Sequence, residues 1–88
     1  MTIKEFVRLV KDVKKSRRIT VVYINEFIKG EYEIEREGEN KWYVRKYLIG
    51  CDNRINKGFM NYVQLVFFLL KRLPYLYDYF TDLDEEYE

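Results

Sequence analysis

Glu31, Glu33, Glu35 and Glu37 stand at every second position of a β-prone stretch, which puts four carboxylates on one side of a strand. Such a ladder can offset cations on a neighbouring strand, each pair contributing roughly a few tenths of a kcal/mol. It can also dock a basic partner much as a row of phosphates would. Mg²⁺ would need a third, converging ligand from elsewhere in the chain, so no metal site is expected there. A second set is cationic and aromatic. Lys11, Lys14, Lys15, Arg17 and Arg18 cluster at the end of one amphipathic segment, and Lys41, Tyr43, Arg45, Lys46 and Tyr47 fall within seven residues of one another. Cations at a helix C-terminus suit the helix dipole. In a functional reading, Arg17, Arg18, Lys41, Arg45 and Lys46 contact phosphates while Tyr43 and Tyr47 stack on bases. A third set is apolar: Tyr62, Leu65, Phe68, Leu69, Leu73, Tyr75 and Tyr77 exceed what one inner helix face can bury. They predict either packing around Pro74 or an exposed homodimer interface, where Tyr and Phe are enriched.

What the inventory lacks is as informative. The 88 residues contain no histidine, one cysteine (Cys51) and one serine (Ser16). Histidine is the usual general base near neutral pH and the commonest zinc ligand. Without it no Ser-His-Asp or Cys-His nucleophile can be assembled. A structural zinc site would need four Cys or His ligands, so neither a metal nor another cofactor is expected, and only a metal-dependent nuclease survives among enzymes. A lone cysteine closes no internal disulfide, and Cys51, beside Asp52, has no partner that would activate it. Met1-Thr2-Ile3-Lys4-Glu5 is not the start of a signal peptide, and the longest apolar run, Leu65 to Leu70, is too short to span a bilayer. An intracellular protein without membrane contact is the expectation. Many charges of both signs, no alanine and a single glutamine also suit a heat-adapted archaeal or a viral origin. A melting temperature near ~50 °C would count against the thermophilic half of that expectation.

The elements that must position these sets can be read in order. Thr2 and Glu5 have capping-box spacing, and Ile3, Phe6, Val7, Val10 and Val13 recur at helical intervals, predicting a helix over 3–15. Ile19 to Ile24 is β-branched and aromatic, as in a strand covered on both faces. Lys29-Gly30 is a turn signal. Glu31 to Glu37 alternates, with Tyr32, Ile34 and Arg36 opposite the glutamates. Gly38-Glu39-Asn40 connects to a returning strand, Lys41 to Ile49. A three-residue loop sets Glu37 against Lys41, Glu35 against Tyr43, Glu33 against Arg45 and Ile34 against Val44, whereas a two-residue loop would place Val44 among glutamates. Gly50 to Lys57 reads as a polar loop, and Asn56 as the cap of a helix from Lys57 to about Leu73. Phe59, Val63, Val66, Phe67 and Leu70 form the expected buried stripe of that helix. After Pro74, the spacing of Leu76, Tyr79, Phe80 and Leu83 predicts a short second helix, and residues 84–88 an acidic, frayed tail. The expected fold is one α+β domain over residues 1–88. Its core is a three-stranded antiparallel meander with helices on one face, in the order α-β-β-β-α-α.

The formal charge is only +1, but it is unevenly laid out. Residues 1–30 carry 8 basic and 3 acidic side chains, residues 31–40 carry 1 and 5, residues 41–72 carry 7 and 1, and residues 73–88 carry 6 acidic side chains and no basic one. Segregation of this kind produces local potentials that the total conceals.

In size and element order the whole chain resembles the small host-takeover proteins of phages and archaeal viruses, in particular the anti-CRISPR group built from a helix, a three-stranded antiparallel sheet and one or two C-terminal helices. The resemblance implies a non-enzymatic protein that occupies a surface of a host protein or ribonucleoprotein complex. No residue motif carries it. The acidic surface expected to do this work comprises Glu31, Glu33, Glu35 and Glu37, joined by Asp82, Asp84, Glu85 and Glu86. The alternative is a nucleic-acid-binding regulator that uses Arg17, Arg18, Lys41, Tyr43, Arg45, Lys46 and Tyr47. The α-β-β-β-α order also resembles the double-stranded RNA-binding domain, but only Lys57 stands where that domain has a basic cluster.

Overall fold

The computed structural model describes residues 1–48, 50 and 54–81. Helix α1 (Ile3–Lys15) starts on the anticipated capping box: the Thr2 hydroxyl accepts from the Glu5 amide while the Glu5 carboxylate accepts from the Thr2 amide. Strands β1 (Arg18–Asn25), β2 (Ile28–Gly38), β3 (Lys41–Leu48) and β4 (Arg54–Met60) follow as an antiparallel meander. Helix α2 (Tyr62–Leu70) and a 3-10 turn (Leu73–Tyr75) return the chain to β5 (Leu76–Thr81), which pairs antiparallel with β1. The sheet order is β4-β3-β2-β1-β5, so β1 lies in the interior. This position explains why it is apolar almost throughout: even Val22, on the side away from the helices, is only 9% exposed.

The α+β class and the placement of helices on one face agree with expectation, and the three anticipated strands are all present. The strand count and the C-terminal order do not agree. Arg54–Met60 is a strand and not the end of a loop followed by a helix. The helix cap is Asn61, not Asn56, and it forms its own capping box with Gln64. A strand replaces the second helix anticipated after Pro74. The first turn falls at Glu26-Phe27, with Asn25 facing Ile28, so Lys29 and Gly30 belong to β2. At the β2–β3 connection Glu35 faces Tyr43, Glu33 faces Arg45 and Ile34 faces Val44, as the alternation requires. Gly38, however, takes the place opposite Lys41 that was expected for Glu37, because a bulge between Arg36 and Gly38 absorbs one residue. Ile49, Cys51 to Asn53 and Asp82 to Glu88 lie outside the described residues. With them lie the readings of Cys51, of Asp82, Asp84, Glu85 and Glu86, and of the acidic tail.

One core joins the layers. Phe6, Leu9 and Val13 of α1 and Leu65 and Leu69 of α2 meet Ile19, Val21, Ile34, Trp42, Val44 and Leu76 from the sheet. Burying each leucine contributes about 2 kcal/mol. The helices are tied to each other where the Tyr62 hydroxyl donates to the Val10 carbonyl at 2.7 Å. Tyr79 of β5 donates to Asp12 of α1 at 2.8 Å. Among the described residues, no helix is long and apolar enough to cross a membrane.

Candidate functional site

Because both helices cover the same face, the other face of the sheet has no layer over it among the described residues. Period-two alternation decides what it presents. Central on it are Glu31, Glu33 and Glu35 of β2, half-buried between neighbouring strands, while Glu37 sits exposed at the bulge. On one flank β1 contributes Arg18, whose Nη2 lies 3.0 Å from Glu35 Oε2. On the other, β3 contributes Lys41, Tyr43, Arg45 and Tyr47, with Arg45 Nη1 4.0 Å from Glu33 Oε2. Burial, with the Glu33 carboxylate beside it, raises the Tyr47 hydroxyl above its usual pKa.

β4 completes this face with residues the sequence reading assigned to a loop and a helix. Phe59 pairs with Tyr43, their ring centres 4.8 Å apart and their planes at 63°. Lys41 Nζ lies 4.3 Å from the Phe59 ring centre. Arg45 lies 4.9 Å from Tyr43, and Arg54 lies 4.7 Å from Tyr47. Three cation–aromatic pairs therefore run along β3 and β4, next to a stripe of carboxylates on β2. Each contributes about 0.5–1 kcal/mol in an exposed setting and holds a long side chain in place over a ring.

Of the anticipated cationic patch, Lys41, Tyr43, Arg45 and Tyr47 come together here, and Arg18 lies across the glutamate stripe from them. Lys46 does not belong to this group: its parity turns it to the helix side, with Nζ 4.8 Å from the Tyr23 ring centre. Arg17 lies before β1, exposed, its carbonyl accepting from the Arg36 amide. The anticipated dimer surface is corrected more deeply. Leu65 and Leu69 are fully buried, and Tyr62, Phe68 and Leu73 pack against the core, which leaves Tyr75 and Tyr77 as the exposed members. Of the expected buried stripe, Val66 packs against the core, Phe59 belongs to β4, and Val63, Phe67 and Leu70 lie on the outer side, with Val63 61% and Phe67 56% exposed. Helix α2 is thus rolled relative to the expected stripe, whose phase is anchored on Phe59, a residue of β4; without it, Leu65 and Leu69 mark the inner face.

Among the described residues, no three acidic, histidine or cysteine side chains gather as metal ligands would. Comparison with protein-family models, curated proteins and solved structures found no match.

Proposed function

We propose that this protein is a non-enzymatic binding module that recognises a host protein or ribonucleoprotein complex through its helix-free sheet face and acts by occupying the partner's surface. One observation carries this reading: three cation–aromatic pairs on β3 and β4, side by side with the glutamate stripe of β2, on a face that no helix among the described residues covers. Tyrosine and arginine supply most binding hot spots, since each offers large contact area with a directional polar end. Adjacent positive and negative stripes favour one docking register over its alternatives. The lack of histidine supports a role without acid–base chemistry. A viral or heat-adapted archaeal setting belongs to this proposal on composition alone, since the five-stranded order departs from the three-stranded anti-CRISPR arrangement. Glu33 and Glu35 act here with Arg45 and Arg18, not as an isolated acidic surface, because each carboxylate faces a guanidinium.

A second reading rests on the same tyrosines. Lys41, Arg45 and Arg54 lie in one line, and a single nucleic-acid strand running along β3 and β4 would find three cations and stacking surfaces. Confinement to those two strands follows from Glu31, Glu33 and Glu35 next door, which repel phosphates. Self-association, in this account, uses Val63, Phe67 and Leu70 of α2, the exposed apolar side chains of that helix.

Capture from host lysate separates these readings when the tagged protein is compared with a Tyr43→Ala/Arg45→Ala variant, each with and without nuclease. A partner held by the parent protein, lost with the variant and indifferent to nuclease supports the protein-binding account. Loss on nuclease treatment favours the nucleic-acid reading. Equal capture by parent and variant would remove the sheet face as the working surface.

A further inference from the structure

Four cations drawn from three elements converge on a cavity of about 410 Å³ on the helix side of the sheet: Lys46 of β3, Lys57 of β4, and Lys71 and Arg72 after α2. No carboxylate among the described residues lines it, nor does any of these four form an ion pair among those residues. Helix dipole alone accounts for Lys71 and Arg72. It does not account for Lys46, which stands on the inward face of β3, two residues beyond the fully buried Val44.

The cavity floor is aromatic and held in place. Tyr23 and Tyr32 lie with ring centres 5.3 Å apart beneath the Lys46 ammonium, which is 4.8 Å from one and 5.8 Å from the other. Arg72 Nε donates to the Tyr32 hydroxyl at 3.0 Å, one Nη1 hydrogen goes to the Phe68 carbonyl at 2.9 Å, and the guanidinium lies 3.8 Å from the Phe68 ring centre. Its orientation is thereby set, while its other N–H donors are uncommitted among the described residues. Ring faces orient cations but bring no countercharge, so like charges lining one cavity repel until an anion enters.

We propose that this cavity binds a phosphoanion carrying two or more phosphate charges, such as the polyphosphate of a nucleotide. Lys46, Lys57, Lys71 and Arg72 take the phosphate oxygens, and the exposed Tyr75 ring at the rim offers a stacking surface for an attached base. The cavity opens on the opposite side of the sheet from the partner face, so the two assignments stand or fall separately. The shared chemistry is the phosphate group, and its source is either a free phosphorylated small molecule or a nucleic-acid strand.

Amide chemical-shift titration of the full chain with pyrophosphate, with adenosine triphosphate and with a single-stranded oligodeoxynucleotide tests the proposal. The parent protein is compared with Lys57→Glu, Lys71→Glu and, as a control at the far end of α1, Lys15→Glu. All three positions are exposed, and dispersed amide spectra verify that each variant folds. Saturable shifts should centre on Lys46, Lys57, Lys71 and Arg72, with affinity reduced about tenfold or more by either cavity variant and less than about twofold by the control. Saturation by adenosine triphosphate at least as tight as by the oligonucleotide identifies a free phosphorylated ligand. Tighter binding of the oligonucleotide with the same variant sensitivity identifies strand phosphates. Absence of saturable shifts with all three ligands at millimolar concentration, or equal weakening by Lys15→Glu, would overturn the assignment.

Discussion

Gly30 shows how one missing side chain arranges both faces of the sheet. It faces Tyr23 across β1 and Leu48 across β3, and a Cβ there would sit 2.5 Å from the Tyr47 carbonyl oxygen and 2.7 Å from Tyr23 Cε1. The backbone oxygen cannot withdraw, and the Tyr23 ring is part of the core. Gly30→Ala should therefore destabilise the protein by about 2 kcal/mol or more, read as a lower denaturant midpoint at unchanged slope. An unchanged midpoint would mean that Tyr23 does not lie over β2. Tyr79 supplies a test of a different kind. Burial and then its hydrogen bond to Asp12 push its hydroxyl up to about 12 from the ordinary 10. The folded state therefore holds the phenol proton more tightly than the unfolded chain does. Its stabilising effect is complete below pH ~10 and is lost as pH rises from there through about 12. Tyr79→Phe should flatten the fall in stability across that window, and phenolate absorbance should show one late-titrating tyrosine in the parent that the variant lacks. A parent and variant that lose stability in parallel would contradict the Tyr79–Asp12 link.

The elements legible in the sequence are those whose periodicity runs unbroken. Helix α1 has its capping box and its three-to-four spacing, and β2 and β3 alternate cleanly enough to fix the pairing of Glu33, Ile34 and Glu35. β4 and β5 each carry a bulge on their own strand that gives a helix-like spacing, whereas the bulge of β2 lies beyond Arg36 and leaves Glu31 to Arg36 alternating. In β4 the pairing skips Lys57, and Gly58 takes a φ of 95°, so inward and outward parity exchange between Asn56 and Phe59. In β5 the pairing skips Tyr77, which leaves Leu76 and Tyr79 on one face three residues apart, the spacing of a helix turn. The sequence did hold a corrective signal in Asn61 and Gln64, a second capping box that dates the helix from Tyr62. Counting Phe59 as the first position of the helical stripe also turns the expected inner face of α2 away from Leu65 and Leu69. Leu69→Ala should consequently cost about 2–5 kcal/mol as a buried leucine, whereas Phe67→Ala should change monomer stability by under about 0.5 kcal/mol. Thermal or urea unfolding of the two variants decides it, and the reverse order of effects would restore the earlier face.

At the scale of the molecule, the fold decides what becomes of the charge blocks that nearly cancel in the total. The β2 carboxylates are set between guanidiniums from β1 and β3, which pair off Glu33 and Glu35. The cations after Arg45 are divided: Arg54 stays on the helix-free face over Tyr47, while Lys46, Lys57, Lys71 and Arg72 are gathered on the other side. Sequence adjacency groups Lys46 with Lys41 and Arg45 while strand parity separates them, and the cations it meets come from β4 and the end of α2, which periodicity alone does not place. The central claim is that the partner sits on the helix-free face. Hydroxyl-radical footprinting of the protein alone and in complex with its captured partner tests this most directly. The account predicts that oxidation of Tyr43, Tyr47 and Phe59 falls several-fold in the complex while that of the 98% exposed Phe27 and of Phe67 is unchanged. Undiminished oxidation of Tyr43 and Tyr47, with protection confined to the helix side, would contradict it.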